Sequence, residues 1–188
     1  MKYVIPYWWF FKEWEDNYSK ENVSGNKNSL FLIRLLMMGI ANGVPEMEVN
    51  PTDGDLKNGQ RLWKIVNPLM TAMVENKIDY IIEGVQLIPS HVSKFEQHYL
   101  GNVKTCFIGI AEIDIENSVE KMKFHSSMTE NDGLRNLDHL QIRLELERIK
   151  TDSTRIREEC KKYNLQYFES SLNFNKTIET IIAYLITQ

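Results

Sequence analysis

The fold is decided by one stretch in the middle of the chain, Ile78-Asp79-Tyr80-Ile81-Ile82-Glu83-Gly84-Val85-Gln86-Leu87-Ile88-Pro89. It begins with apolar and β-favouring residues and continues with an acid and a glycine. A short apolar run of this kind predicts a strand of a parallel sheet that is buried on both faces. Because ligands of open α/β sheets bind outside the carboxyl ends of the strands, Glu83 is a candidate catalytic residue. The alternative is a plain strand end that meets solvent.

The remaining chain predicts strands that alternate with helices. Further strands are predicted at 2–6, 104–110 and 165–168, and helices at 60–76, 90–99, 114–124, 134–163 and from 173 or 175 onward. Ser90 is the expected cap of the second helix, Asp114 or Asn117 that of the third, and Asn173 or Asn175 that of the last. The long region 134–163 is expected to break near Thr151 to Thr154. This alternation predicts an α/β fold with a mostly parallel sheet.

The length, composition and net charge of the chain limit the classes of protein to which it can belong. With 188 residues, 43% of them hydrophobic, the chain can form one domain over residues 1–188 with its own core. A net charge of −4 argues against nucleic acid as a partner, since binding to phosphates needs a basic surface.

Neither the cysteines nor the histidines predict a metal site. Cys106 and Cys160 are the only cysteines, which excludes a disulfide framework. The four histidines have no metal-ligand spacing and are expected at the surface: His91, His98, His125 and His139. No apolar run reaches membrane-spanning length, and the first residues lack the features of a signal peptide, so a cytoplasmic protein without a membrane partner is expected.

Four segments carry a resemblance to a known class of enzymes: Ile81–Pro89, Cys106–Gly109, Arg157–Cys160 and Tyr167–Glu169. From Gln60 to the end, the chain resembles small-molecule kinases of the P-loop class, especially the adenylate-kinase-like and 2-phosphoglycerate-kinase-like proteins. The resemblance implies a three-layer α/β sandwich with a mostly parallel sheet, in which the first strand lies centrally. It also implies a helical lid over residues 114–163, ATP and Mg²⁺ as cofactors, and a small-molecule phosphoryl acceptor.

The phosphate-binding loop of this class is absent from the sequence as written. No Gly-x-x-x-x-Gly-Lys occurs, and the place for it holds bulky Trp9 and Trp14 with anionic Glu15 and Asp16. The loop needs glycines for close backbone approach and a lysine for the outer phosphates, so these residues would block and repel a nucleotide. The acid expected at the end of the second strand is replaced by Arg34. We therefore expect that this chain does not bind ATP and Mg²⁺.

The genetic code offers an explanation for the missing loop. Tryptophan has a single codon, TGG, which always becomes glycine when it is read one base later. Read in this way, Trp8 to Asn17 can become Gly-Gly-Ser-Ser-Arg-Ser-Gly-Lys-Thr-Thr, and Arg34 can become aspartate. Starting at the position of Trp9, the shifted peptide is a complete phosphate loop. We hypothesise that residues 7–36 are the shifted-frame product of a kinase gene.

The aromatic segment Tyr7–Trp14 has an alternative interpretation. It can pack on the domain as an aromatic cluster or touch a membrane interface. The chain would then be a non-catalytic binding or regulatory module related to P-loop proteins. Loss of the native packing at this end would expose apolar surface and favour a homodimer.

Three arginines of the helical region are candidate catalytic residues by resemblance: Arg143, Arg148 and Arg157. In similar kinases, arginines of the lid contact the transferring phosphoryl group, where negative charge develops. Arg157 is the strongest candidate, because its Arg-Glu-Glu-Cys context carries part of the resemblance. The alternative is a solvated helix in which Glu145, Glu147, Glu158 and Glu159 are ion-pair partners.

Overall fold

The computed structural model describes residues 2–5, 55–84, 86–128 and 136–186. Within these ranges, strands and helices follow one another in this order: β1 (Lys2–Ile5), α1 (Asp55–Glu75), β2 (Tyr80–Glu83), α2 (Pro89–His98), β3 (Lys104–Gly109), α3 (Ile115–Met128), α4 (His139–Tyr163), β4 (Gln166–Glu169) and α5 (Phe174–Ile186). The prediction of an α/β fold is confirmed at this level.

The described strands have the order β2-β1-β3-β4. β1 pairs in parallel with β2 from Lys2 opposite Tyr80 to Ile5 opposite Glu83. On its other side β1 pairs in parallel with β3, which confirms the predicted parallel pairing. The burial of β2 alternates between buried and half-buried residues, so the expectation that both of its faces are buried was wrong.

The chain divides into two compact units. The first comprises Met1–Phe107 with Tyr163–Gln166, and the second comprises Ile108–Lys162 with Tyr167–Gln188. The prediction of a single domain over residues 1–188 stays a prediction.

The core of the first unit includes one face of α1. Its buried apolar residues recur at every fourth position: Leu62, Val66, Met70 and Val74. This spacing keeps them on one side of the helix. α1 continues through Pro68 as one helix.

Helix α2 is capped two residues earlier than expected. Its first residue is Pro89 and its cap is Ile88, so the prediction that Ser90 caps the helix was wrong. Proline suits the first position of a helix, because its fixed φ is already helical and its missing N–H would have no partner inside the helix.

The core of the second unit joins α3 and α4. Ile113, Val119, Ile142 and Leu146 form one buried cluster. α4 runs without interruption, so the expected break near Thr151 to Thr154 was wrong. Both threonine hydroxyls donate hydrogen bonds to carbonyls four residues earlier, so these polar side chains are satisfied inside the helix.

Side chains cap the helices of the second unit. The carboxylate of Asp114 accepts a hydrogen bond from the Asn117 N–H, and Asn173 accepts one from the Lys176 N–H. The side chain of Asp138 accepts from the Gln141 N–H while Gln141 accepts from the Asp138 N–H, which is a reciprocal capping box.

Candidate functional site

Glu83 lies where the sequence predicts it, at the carboxyl end of a parallel strand. It is the last residue of β2 and is opposite Ile5, the last residue of β1. The side chain is half-buried and its Oε2 atom is enclosed. The Leu87 N–H donates a 3.1 Å hydrogen bond to the Gly84 carbonyl, which closes a turn directly after this strand. The carboxylate is therefore held at the edge where α/β sheets bind ligands.

Helix α1 comes very close to this turn at Gly59. A Cβ atom at Gly59 would lie 2.4 Å from the Gln86 carbonyl oxygen and 3.2 Å from Ile88 Cγ2. Only a residue without a side chain allows this approach. A cleft beside the contact is lined by Trp63 and Gly84 among others, and this cleft lies next to the end of β2.

His91 packs against this region and is not the surface residue that the sequence predicted. Its ring stacks on Trp63 with centroids 5.1 Å apart and an interplanar angle of 25°. Its Nδ1 atom is buried, and none of the described residues makes a hydrogen bond to it. Burial and the nearby Lys94 lower the pKa of His91, which favours the neutral form of the ring.

In the second unit, two side-chain hydroxyl groups contact the segment that follows β3. The Ile110 N–H donates a 3.1 Å hydrogen bond to Ser153 Oγ, and the Ala111 N–H donates a 3.4 Å bond to the Tyr167 hydroxyl. A Cβ at Gly109 would lie 2.5 Å from that hydroxyl and 2.9 Å from Ser153 Oγ. The segment is thus fixed by α4 and β4, and Gly109 makes the close contact possible.

Tyr167 is itself oriented by a carboxylate. Its hydroxyl donates a 3.2 Å hydrogen bond to Glu169, whose other oxygen accepts hydrogen bonds from Ser171. Burial raises the pKa of Tyr167, and the charge of Glu169 raises it further. The hydroxyl therefore keeps its proton and acts as a fixed hydrogen-bond donor and acceptor.

Arg157 forms an ion pair with Glu112, three residues after the end of β3. The hydrogen bond from Arg157 Nη1 and the charge of the guanidinium lower the pKa of Glu112. The same hydrogen bond raises the pKa of Arg157. Arg157 also lies 4.0 Å from Glu158. The strongest predicted arginine is therefore bound in the segment that follows β3, by a partner that is not among the four glutamates expected for the helix.

The other two predicted arginines pair with acids on the helices. Arg143 contacts Glu116 and, at 4.0 Å, Glu147. Arg148 contacts Glu145 at 2.6 Å. The pairs with Glu145 and Glu147 are those that the alternative interpretation expects, whereas Glu116 lies on α3. A role of Arg143, Arg148 or Glu83 in catalysis stays a prediction.

Several predicted positions lie outside the described residues. These are the phosphate-loop positions Trp9, Trp14, Glu15 and Asp16, and the second-strand position Arg34. Among the residues that the structure does describe, no group of three His, Cys, Asp or Glu side chains could hold a metal ion.

The sequence contained a signal for Glu112 that was not used. Like Glu83, it directly follows an apolar run, Cys106–Ala111, which contains the end of a strand. The pattern that indicates Glu83 therefore also indicates Glu112. Ser153 and Tyr167 offered no such signal, because their partners are distant in sequence.

Comparisons with known proteins do not identify a function, so these sites are the main guide to it. No protein-family model matches the chain, and no curated protein matches it either. Within the described residues, none of the helices has the length and apolar character needed to cross a membrane.

Proposed function

We propose that the chain is a P-loop kinase-like protein whose ancestral activity was ATP-dependent phosphoryl transfer to a small molecule. The observation that supports this proposal is the position of β1. It has a parallel strand on each side, and its carboxyl end is opposite Glu83. In P-loop kinases the phosphate loop follows such a central strand. The finer architecture that we propose is the three-layer sandwich of that class.

The path of the chain through the strands supports a binding site at this edge. After β1, the chain enters β2 on one side of β1 and then β3 on the other side. Among the described strands, the connection that leaves β1 therefore leads to one side of this strand, and the next connection leads to its other side. Divergent connections leave a crevice outside the carboxyl ends of the strands, and open α/β sheets bind ligands there.

The residues of this chain do not fit a triphosphate. The segment after β1 carries Trp9, Trp14, Glu15 and Asp16 where glycines, lysine and a hydroxyl are needed. We infer that ATP and Mg²⁺ binding are impaired as the chain is written, and that residues 7–36 derive from a shifted reading frame.

Roles in the ancestral reaction are proposed for two residues of this chain. Bound Mg-ATP would supply the phosphoryl group. Glu83 would lie beside the reacting groups at the edge of β1 and β2, and Arg157 would neutralise developing negative charge. We further propose that the protein works in the cytoplasm.

A second function remains open, from a different class. The chain can serve as a non-catalytic binding or regulatory module that uses Tyr7–Trp14 as its contact surface. The specific observation in its favour is the density of this segment in tryptophan, since three of the four in the chain lie there. Aromatic side chains with a polar tip are common at interfaces.

A comparison of two proteins distinguishes the two proposed functions. One is the chain as written, and the other is a version in which the codons for residues 7–36 are read one base later. The thermal unfolding midpoint of each protein is measured with and without Mg-ATP. The intact mass of the purified protein and resequencing of the gene establish which form exists. A ligand at about a hundred times its Kd stabilises a protein by about 2.7 kcal/mol, which is readily seen. We expect stabilisation of the restored protein alone. A shift in the chain as written contradicts the impairment, and no shift in a folded restored protein contradicts the kinase proposal.

A further inference from the structure

Arg157 differs from Arg155, two residues earlier on α4, in the origin of its main partner. Arg155 pairs with Asp152 and Glu159 of the same helix. Arg157 instead pairs with Glu112, which belongs to the segment after β3. The pair therefore places a guanidinium beside the segment that follows the carboxyl end of β3, and ligands of such sheets bind on that side.

The backbone that carries Glu112 is held firmly, whereas the ion pair is open to solvent. The two preceding N–H groups, those of Ile110 and Ala111, are bound by Ser153 and Tyr167. The side chain of Glu112 is 54% exposed and that of Arg157 is 35% exposed. A dissolved anion can thus reach the guanidinium without disturbing the core.

We propose that Glu112 is an internal competitor that occupies Arg157 until a phosphate-bearing anion displaces it. This inference rests on the phosphoryl-binding role proposed for Arg157. A carboxylate and a phosphate use the same planar fork of guanidinium N–H donors, so the two bind in competition. The fixed carboxylate also repels an incoming anion. Glu112 therefore lowers the anion affinity of Arg157 and favours ligands with more charge than one carboxylate.

The chain provides a matched control for this proposal. Arg155 and Glu159 form an ion pair on the same helix, with side chains 34% and 26% exposed. Glu159→Gln removes the same charge as Glu112→Gln, and Arg155→Gln removes the same charge as Arg157→Gln. A general effect of net charge would change the anion affinity of Glu112→Gln and Glu159→Gln equally, and likewise that of Arg157→Gln and Arg155→Gln.

The test is an NMR titration of the full chain with inorganic tripolyphosphate, without divalent cations, that follows the arginine Nε–H signals. We expect Glu112→Gln to bind about two- to fivefold more tightly than the unmodified protein, as the modest strength of exposed ion pairs implies. Arg157→Gln should lose most of the binding, and the two control variants should match the unmodified protein. The gain in Glu112→Gln should shrink as salt is added.

Each other outcome overturns part of the reasoning. If Glu112→Gln binds no more tightly than the unmodified protein, or if neither binds, the competitor role is refuted. If Glu159→Gln gains as much, the effect is one of net charge and the proposal also fails. If Arg157→Gln binds as well as the unmodified protein, the phosphoryl-binding role of Arg157 fails too. Glu112→Ser, which keeps a small polar side chain, replaces Glu112→Gln if that variant loses its folded spectrum.

Discussion

Replacing Gly59 with alanine should destabilise the protein, although alanine is the better helix former. In an exposed helix the same change stabilises by about 1 kcal/mol. Gly59 lies within α1 and is buried, and a Cβ there would be 2.4 Å from the Gln86 carbonyl oxygen. That oxygen belongs to the backbone of a turn, so it cannot rotate away as a flexible side chain would.

The two effects can be compared in magnitude. Overpacking costs about 1–3 kcal/mol, and a contact with backbone belongs at the upper end of that range. Subtracting about 1 kcal/mol for helix propensity leaves a net loss of about 2 kcal/mol in the free energy of unfolding. With a urea m-value of about 2 kcal/mol per molar, the midpoint should fall by about 1 M.

Urea unfolding followed by far-UV circular dichroism measures this change in Gly59→Ala. Gly84→Ala is the control, because the one atom of the described residues that a Cβ there would meet is the flexible Gln86 Oε1, at 3.4 Å. We expect a much smaller shift in the control. A midpoint for Gly59→Ala that equals or exceeds that of the unmodified protein would refute the close approach of α1 to the turn.

Three further predictions concern hydroxyl, carboxyl and thiol groups. Tyr167→Phe removes a hydroxyl that makes two long hydrogen bonds, so the free energy of unfolding should fall by about 1 kcal/mol. Thermal unfolding measures this change, and an unchanged midpoint would contradict it. Burial raises the pKa of Glu96 above its ordinary 4.5 despite a hydrogen bond from Thr105, so the free energy of unfolding should fall as the pH rises through the folded-state pKa. In urea unfolding, Glu96→Gln should be as stable as the unmodified protein at pH 4 and more stable at pH 7.5. A gain in stability of Glu96→Gln that is seen only at pH 4 would contradict this prediction. Burial and the charge of Glu96 raise the pKa of the Cys106 thiol to about 12, and Cys160 is fully buried, so neither should react with a thiol reagent at pH 8 until urea is added.

The sequence predicted the order of elements well because apolar runs reveal buried strands. The run from Cys106 to Ile108 is buried throughout, and β3 lies where this run predicts it. Helix boundaries were harder to predict. Ser90 is a good capping residue in isolation, but Pro89 already has a helical φ and begins the helix first. The threonines near the middle of α4 suggested a break, although their hydroxyls find acceptors inside the helix.

The candidate sites were predictable only where one segment carries the information. Glu83 could be found because an acid directly follows an apolar run. The contact between the Ala111 N–H and Tyr167 joins residues 56 positions apart, so no local pattern reveals it. The stack of His91 on Trp63 was missed for the same reason, because it joins two helices. The predicted surface position is therefore wrong for His91, whereas His98 and His139 are exposed as predicted.

The pairing that positions Glu83 involves only residues 2–5 and 80–83. None of these residues belongs to the proposed shifted segment, residues 7–36. Restoring the reading frame would therefore add a phosphate loop after a strand whose partners are already specified by the present sequence. For this reason the comparison of the two proteins tests the loop itself: if both fold, a difference in nucleotide binding between them must originate within residues 7–36.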